Sequence, residues 1–142
     1  MPAQRKTILI IEDEPDTAEM FAEMMRLSGY RVLKSFGGAA SISQILQEKP
    51  DALVLDIMMP DVSGLEVLNF MQRQAELKKI PVIIVSAKSL PSDIKGGLDA
   101  GARVYLTKPV SFMDLKQAVE KAVWHSEEPN ARQLSLQLVL DP

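Results

Sequence analysis

The chain has 142 residues, 46% of them apolar and 25% charged, a composition that suits one globular domain with a real core and carries no disorder signature. A net charge of -3 and an aromatic content of 5% argue against a nucleic-acid surface, and the lack of cysteine excludes disulfides, thiolate catalysis and zinc–thiolate sites. The N-terminal stretch fits neither a signal peptide nor a membrane span, so a cytoplasmic protein is expected.

Thr7–Ile11 reads as a first strand, being rich in Ile and too short for a buried helix, and it ends on Glu12-Asp13-Glu14. A helix follows, with Pro15 at its first position, Ala18, Phe21, Ala22 and Met25 on one face, and Gly29 as its stop. The neighbouring Met20 and Met24 are assigned to the same packing. Arg31–Ser35 is a second strand, followed by a weaker helical stretch carrying Ile42, Ile45 and Leu46. Ala52–Leu55 is a third strand ending on Asp56, and the helix after Gly64 presents Leu65, Leu68 and Met71. Residues 82–85 form a fourth strand ending on Ser86, with a helix opening at Pro91-Ser92-Asp93 and closing at Gly101. Residues 104–106 form a fifth strand ending on Thr107-Lys108-Pro109, and Phe112, Leu115, Val119, Ala122 and Val123 make the apolar stripe of a last helix. Strand–helix alternation repeated in this way predicts an α/β fold, a parallel sheet with helices on both faces. Beyond residue 125, Leu134, Leu136, Leu138 and Leu140 alternate with other residues, a period-two pattern that favours an extra strand over a helix.

Ligands of an open parallel sheet bind beyond the carboxyl ends of its strands. The strand ends therefore collect two or three carboxylates, a hydroxyl and an ammonium on one rim. Acidic residues at strand ends are commonly no more than solvated loop residues; here it is their convergence that carries meaning. Clustered carboxylates repel unless a cation neutralises them, and magnesium accepts a site of few carboxylates completed by water and phosphate oxygens. Lys108 adds a point charge for a phosphoryl or carboxylate oxygen, and Ser86 a hydrogen bond to the same group. These are parts for phosphoryl transfer.

The runs Ile10-Ile11-Glu12-Asp13-Glu14, Leu55-Asp56-Ile57-Met58-Met59-Pro60-Asp61-Val62-Ser63-Gly64, Val85-Ser86-Ala87-Lys88 and Thr107-Lys108-Pro109 resemble the CheY-like receiver domains of two-component response regulators. The likeness spans residues 6–125, leaving 126–142 as a C-terminal tail. It implies a doubly wound (βα)5 sheet in the strand order 2-1-3-4-5. It further implies that Asp56 is the phosphoacceptor, and that Glu12, Asp13, Asp56 and the Met58 backbone carbonyl hold Mg2+. Ser86 and Lys108 would bind phosphoryl oxygens, and Ser86 with Tyr105 would form a switch that alters the surface of the fourth helix, fifth strand and fifth helix. The donor would be a sensor histidine kinase or a histidine phosphotransfer protein. The chain would then catalyse only its own phosphorylation and dephosphorylation, as a stand-alone regulator or an excised receiver with no direct nucleic-acid or membrane contact.

Glu12 replaces the aspartate of many members, and Ser86 the threonine. Met58 and Lys88 occupy two positions that tune phosphoryl lifetime in the family. Neither orients an attacking water well, so slow self-dephosphorylation is expected. The rival readings are a magnesium-dependent phosphohydrolase and a phosphorylation-independent adaptor. His125 reads as a solvated helix-end residue. The strand over 134–140 needs an edge to pair with, and a homodimer is the favoured expectation among three.

Overall fold

Each of the apolar runs supplies a strand because Ile, Val and Leu fill a pleated surface, one that the central strands bury on both sides and the two edge strands only in part. The computed structural model describes residues 5–124. In chain order the elements are β1 (Thr7–Ile11), α1 (Pro15–Leu27), β2 (Arg31–Ser35), α2 (Gly38–Glu48), β3 (Ala52–Leu55), α3 (Gly64–Gln72), β4 (Val82–Ser86), α4 (Pro91–Asp99), β5 (Val104–Thr107) and α5 (Phe112–Trp124). The strands form one parallel sheet in the order β2-β1-β3-β4-β5, as the resemblance implied. β4 and β5 each run one residue past their apolar run. Pairing is a backbone property, and Ser86 lies opposite Thr107 in the ladder.

Successive residues of the inner strands point to opposite faces and build two cores. Ile8, Ile10, Val54, Ile83 and Val85 pack under α1 and α5, against Phe21, Met25, Leu115 and Val119. Leu9, Ile11, Leu53, Leu55 and Ile84 pack under α2 and α3, against Ile45, Val67, Leu68 and Met71. Burying one such side chain contributes roughly 1.5–3 kcal/mol, so these faces outweigh anything on the surface.

Two expected core residues lie outside. Met20 is 47% exposed and Leu46 is 46% exposed. At 100° per residue, Met20 falls off the stripe of Ala18, Phe21, Ala22 and Met25, and Leu46 off the line of Ile45. Met24 is half-buried against the first core. The expected strand over 134–140 and His125 lie outside the described residues.

Candidate functional site

Register alone brings the first two acids together. Ile11 pairs with Leu55, so the next residues, Glu12 and Asp56, leave adjacent strands side by side, and the Asp56 amide donates to the Ile11 carbonyl at 3.0 Å. Glu12 is only 2% exposed and Asp56 only 6%. Carboxylate oxygens of Glu12, Asp13 and Asp56 all lie within 4.8 Å of one another. Glu14 does not join them. Its carboxylate turns away to cap α1, accepting the amides of Asp16 at 3.2 Å and Thr17 at 2.6 Å. Hydrogen bonds from Thr17, and then from Asp16, hold its charge and keep its pKa low.

Lys108 reaches the acids from the far side of Asp56. Its amide donates to the Ser86 carbonyl at 2.9 Å, extending the β4–β5 pairing past Thr107, and the Lys108–Pro109 peptide is cis. The Lys108 ammonium donates to Glu12 Oε1 at 2.7 Å and to Asp56 Oδ2 at 3.2 Å. Burial pushes the Glu12 carboxyl above its usual pKa; Lys108 works against this and Asp56 with it. For Lys108 burial works to lower the pKa, but Glu12 and Asp56 prevail and hold it up. The two carboxylates beside it therefore favour the charged ammonium.

Ser86 is fully buried at the end of β4, and its hydroxyl oxygen accepts the Lys88 amide at 3.2 Å. Tyr105, on β5, is half-buried and donates its hydroxyl to the Lys88 carbonyl at 2.7 Å. The two residues expected to switch thus hold the same short loop, one at the Lys88 amide and the other at its carbonyl. Met58 is 51% exposed, and its amide donates to Asp56 Oδ1 at 3.0 Å, which anchors the loop after β3 to Asp56. Met59 points the other way, into the second core.

One ammonium facing three carboxylates leaves the cluster net negative, and every donor atom in it is a hard oxygen. That set fits a divalent cation of the magnesium type, with Glu12, Asp13 and Asp56 as its holders. The model of the response regulator receiver domain matches residues 8–120. The chain belongs to the response regulator receiver family. PilH of Pseudomonas aeruginosa is 40% identical over 112 residues, covering 79% of this chain and 93% of PilH. The transcriptional regulatory protein TcrX of Mycobacterium tuberculosis is 37% identical over 112 residues. That match covers 79% of this chain but 47% of TcrX, so the receiver spans about half of that relative's length. A response regulator structure from Chloroflexus aurantiacus superposes with a TM-score of 0.82 at 29% identity, over 85% of this chain and 99% of that one. The acidic pocket of this receiver is that of a two-component phosphoacceptor site. No helix among the described residues is long and apolar enough to cross a membrane.

One further participant bears no mark in the sequence that assigns it a role. Asp61, which lies within the Leu55-to-Gly64 run, spans from the loop after β3 to the start of α2, where its carboxylate accepts the amides of Gly38 and Ala39 at 3.1 Å each. The signal was faint: α2 opens on Gly37, which has no side chain with which to cap its own helix.

Proposed function

We propose that Asp56 accepts a phosphoryl group from the phosphohistidine of a sensor kinase or phosphotransfer protein, in the cytoplasm and in the presence of Mg2+. A carboxylate oxygen of Asp56 attacks phosphorus in line, the N–P bond of the donor breaks, and the neutralised imidazole leaves. Asp13, Asp56 and the Met58 carbonyl would hold the ion, with Glu12 beside them. The cation would supply charge neutralisation on the phosphoryl oxygens. Lys108 would move its ammonium from Asp56 to a phosphoryl oxygen, and Ser86 would donate its hydroxyl to another. That donation draws on the loop that Tyr105 also holds, so phosphorylation would shift the surface of α4, β5 and α5 by favouring one of two arrangements.

The observation that carries this reading is the Lys108 ammonium bridging Glu12 and Asp56 inside a three-carboxylate cluster. Phosphohydrolases that use an aspartyl-phosphate usually carry a second acid two residues past the nucleophile, and that position here holds the exposed Met58. Incubation with acetyl phosphate and Mg2+ separates the readings. The receiver gains one phosphoryl group by intact mass, and Asp56→Asn abolishes the gain. Turnover of many equivalents would instead indicate a hydrolase, and no uptake an adaptor. Met58 and Lys88 offer no group to activate water, so the label should persist beyond seconds once donor is removed; loss within seconds would overturn that part.

A further inference from the structure

The β3–α3 loop carries the atoms that matter most, beginning at the Asp56 carboxylate and the Met58 carbonyl. Its near end is fixed by the Met58 amide on Asp56 Oδ1, and its far end by Ser63, whose hydroxyl accepts the Glu66 amide at 3.3 Å to cap α3. The middle, residues 60–62, is organised around the Asp61 carboxylate, whose charge is held by the Val62 amide beside it and by two amides of α2. It rests on α2. Asp61 Oδ1 accepts the Gly38 amide and Oδ2 the Ala39 amide, at 3.1 Å each. A methyl group on Gly38 would collide with the Val62 carbonyl, so backbone meets backbone there without a side chain between. α2 is held in turn from the opposite side of the site: the Glu12 amide donates to the Ser35 carbonyl at 3.0 Å, and the Ser35 hydroxyl donates to the Gly37 carbonyl at 3.3 Å.

We infer that Asp61 is a positioning residue for the phosphoacceptor site, acting as the cap of a helix 23 residues earlier in the chain and so fixing the loop that presents Met58. The inference rests on the reading of Asp56 as phosphoacceptor and Met58 as a carbonyl ligand. Helix N-terminal amides left without acceptors are costly, and Asp61 satisfies two of those on α2, one of them at the buried Gly38. The cap and the site are therefore one mechanical unit. Loss of groups that orient metal ligands commonly weakens metal binding by about 10–100-fold.

The test compares wild type, Asp61→Ala, Asp61→Asn and Gly38→Ala. Asp61→Ala removes both acceptors, Asp61→Asn keeps one oxygen while removing the charge, and Gly38→Ala displaces the loop without touching a carboxylate. Hydrogen exchange should show the Gly38 and Ala39 amides losing protection in Asp61→Ala. Calorimetry should show Mg2+ binding weakened by about tenfold in that variant, with Asp61→Asn intermediate and Gly38→Ala also weakened. The Mg2+ concentration giving half-maximal phosphorylation by acetyl phosphate should rise, while the rate at saturating Mg2+ changes little. A merely unfolded fraction would lower that limiting rate instead. Unchanged Mg2+ affinity in folded Asp61→Ala, or equal losses in Asp61→Asn and Asp61→Ala, would overturn the inference. Failure of the wild type itself to take up phosphoryl would overturn the phosphoacceptor reading instead.

Discussion

The rim around Asp56 and helix α4 are built on opposite principles. At the rim, Glu12, Asp56 and Ser86 are almost wholly buried, and each is tied by a named hydrogen bond or ion pair. In α4 only Gly97 is buried. Its nine residues include the adjacent Gly96 and Gly97, and its N-cap, Leu90, has no oxygen with which to cap it. Asp93 returns half of that arrangement by accepting the Leu90 amide at 3.3 Å. Two interior glycines cost roughly 2 kcal/mol against alanine, whereas the exposed Lys95–Asp99 pair returns only about 0.3–0.5 kcal/mol. A helix this short is marginal alone, so α4 depends on its contact with β5. Chemistry demands fixed groups, while a signal demands an element that moves cheaply. A fixed rim and a lightly held helix thus sit in one domain, with the loop bound by Ser86 and Tyr105 between them.

The sharpest way to break this contrast is to strip the rim of its cation. Lys108→Met would leave Glu12 and Asp56 buried and facing one another. Without metal, the variant should lose about 3 kcal/mol of stability in denaturant melts, as expected on breaking a buried pair. Added Mg2+ should return part of it. A variant as stable as wild type in chelator would mean that the acids are not held against repulsion.

The two glycines of α4 should respond in opposite directions. Nothing lies within 4 Å of a methyl group placed on Gly96, so Gly96→Ala should stabilise the helix by about 1 kcal/mol and slow amide exchange there. A methyl on Gly97 would press into the Tyr105 ring at 2.7 Å and Ile84 at 2.9 Å. Gly97→Ala should therefore cost about 1–3 kcal/mol and perturb the Tyr105 resonances. If both variants behave alike, α4 is not held through the Tyr105 contact.

The smallest effect belongs to the surface. Glu19 is held at a pKa of about 2 by Arg26 and then Lys34. A carboxyl whose folded pKa is depressed stabilises above its unfolded value of 4.5 and loses that contribution as pH falls toward about 2. Glu19→Gln should make the acid limb of the Tm profile slightly shallower between those values. An unchanged profile would show that the pair is fully screened by solvent.

The fold was legible because buried parallel strands must be continuously apolar, and Ile8, Leu53 and Ile83 announce them. Glu12, Asp13, Asp56, Ser86 and Lys108 could be gathered from the sequence because they end or directly follow strands, where topology brings them to one rim. What stayed hidden was set by tertiary contact. Nothing in Glu12-Asp13-Glu14 distinguishes two site acids from the one that caps α1. The phase of a helix over a core decides Met20 and Leu46, and residue type does not reveal it. Asp61 caps a helix that precedes it, and no local spacing marks such a partner.

In the proposed function, Glu12 and Asp13 from one strand end and Asp56 from the next would enclose one divalent ion and so make Asp56 a usable nucleophile. The direct measurement is the rate of Asp56 phosphorylation by acetyl phosphate as Mg2+ is titrated, in wild type and in Asp13→Asn. The account predicts a saturable rise that chelator abolishes and that Asp13→Asn moves to much higher Mg2+. A rate indifferent to Mg2+, or unaltered when Asp13 is neutralised, would contradict it.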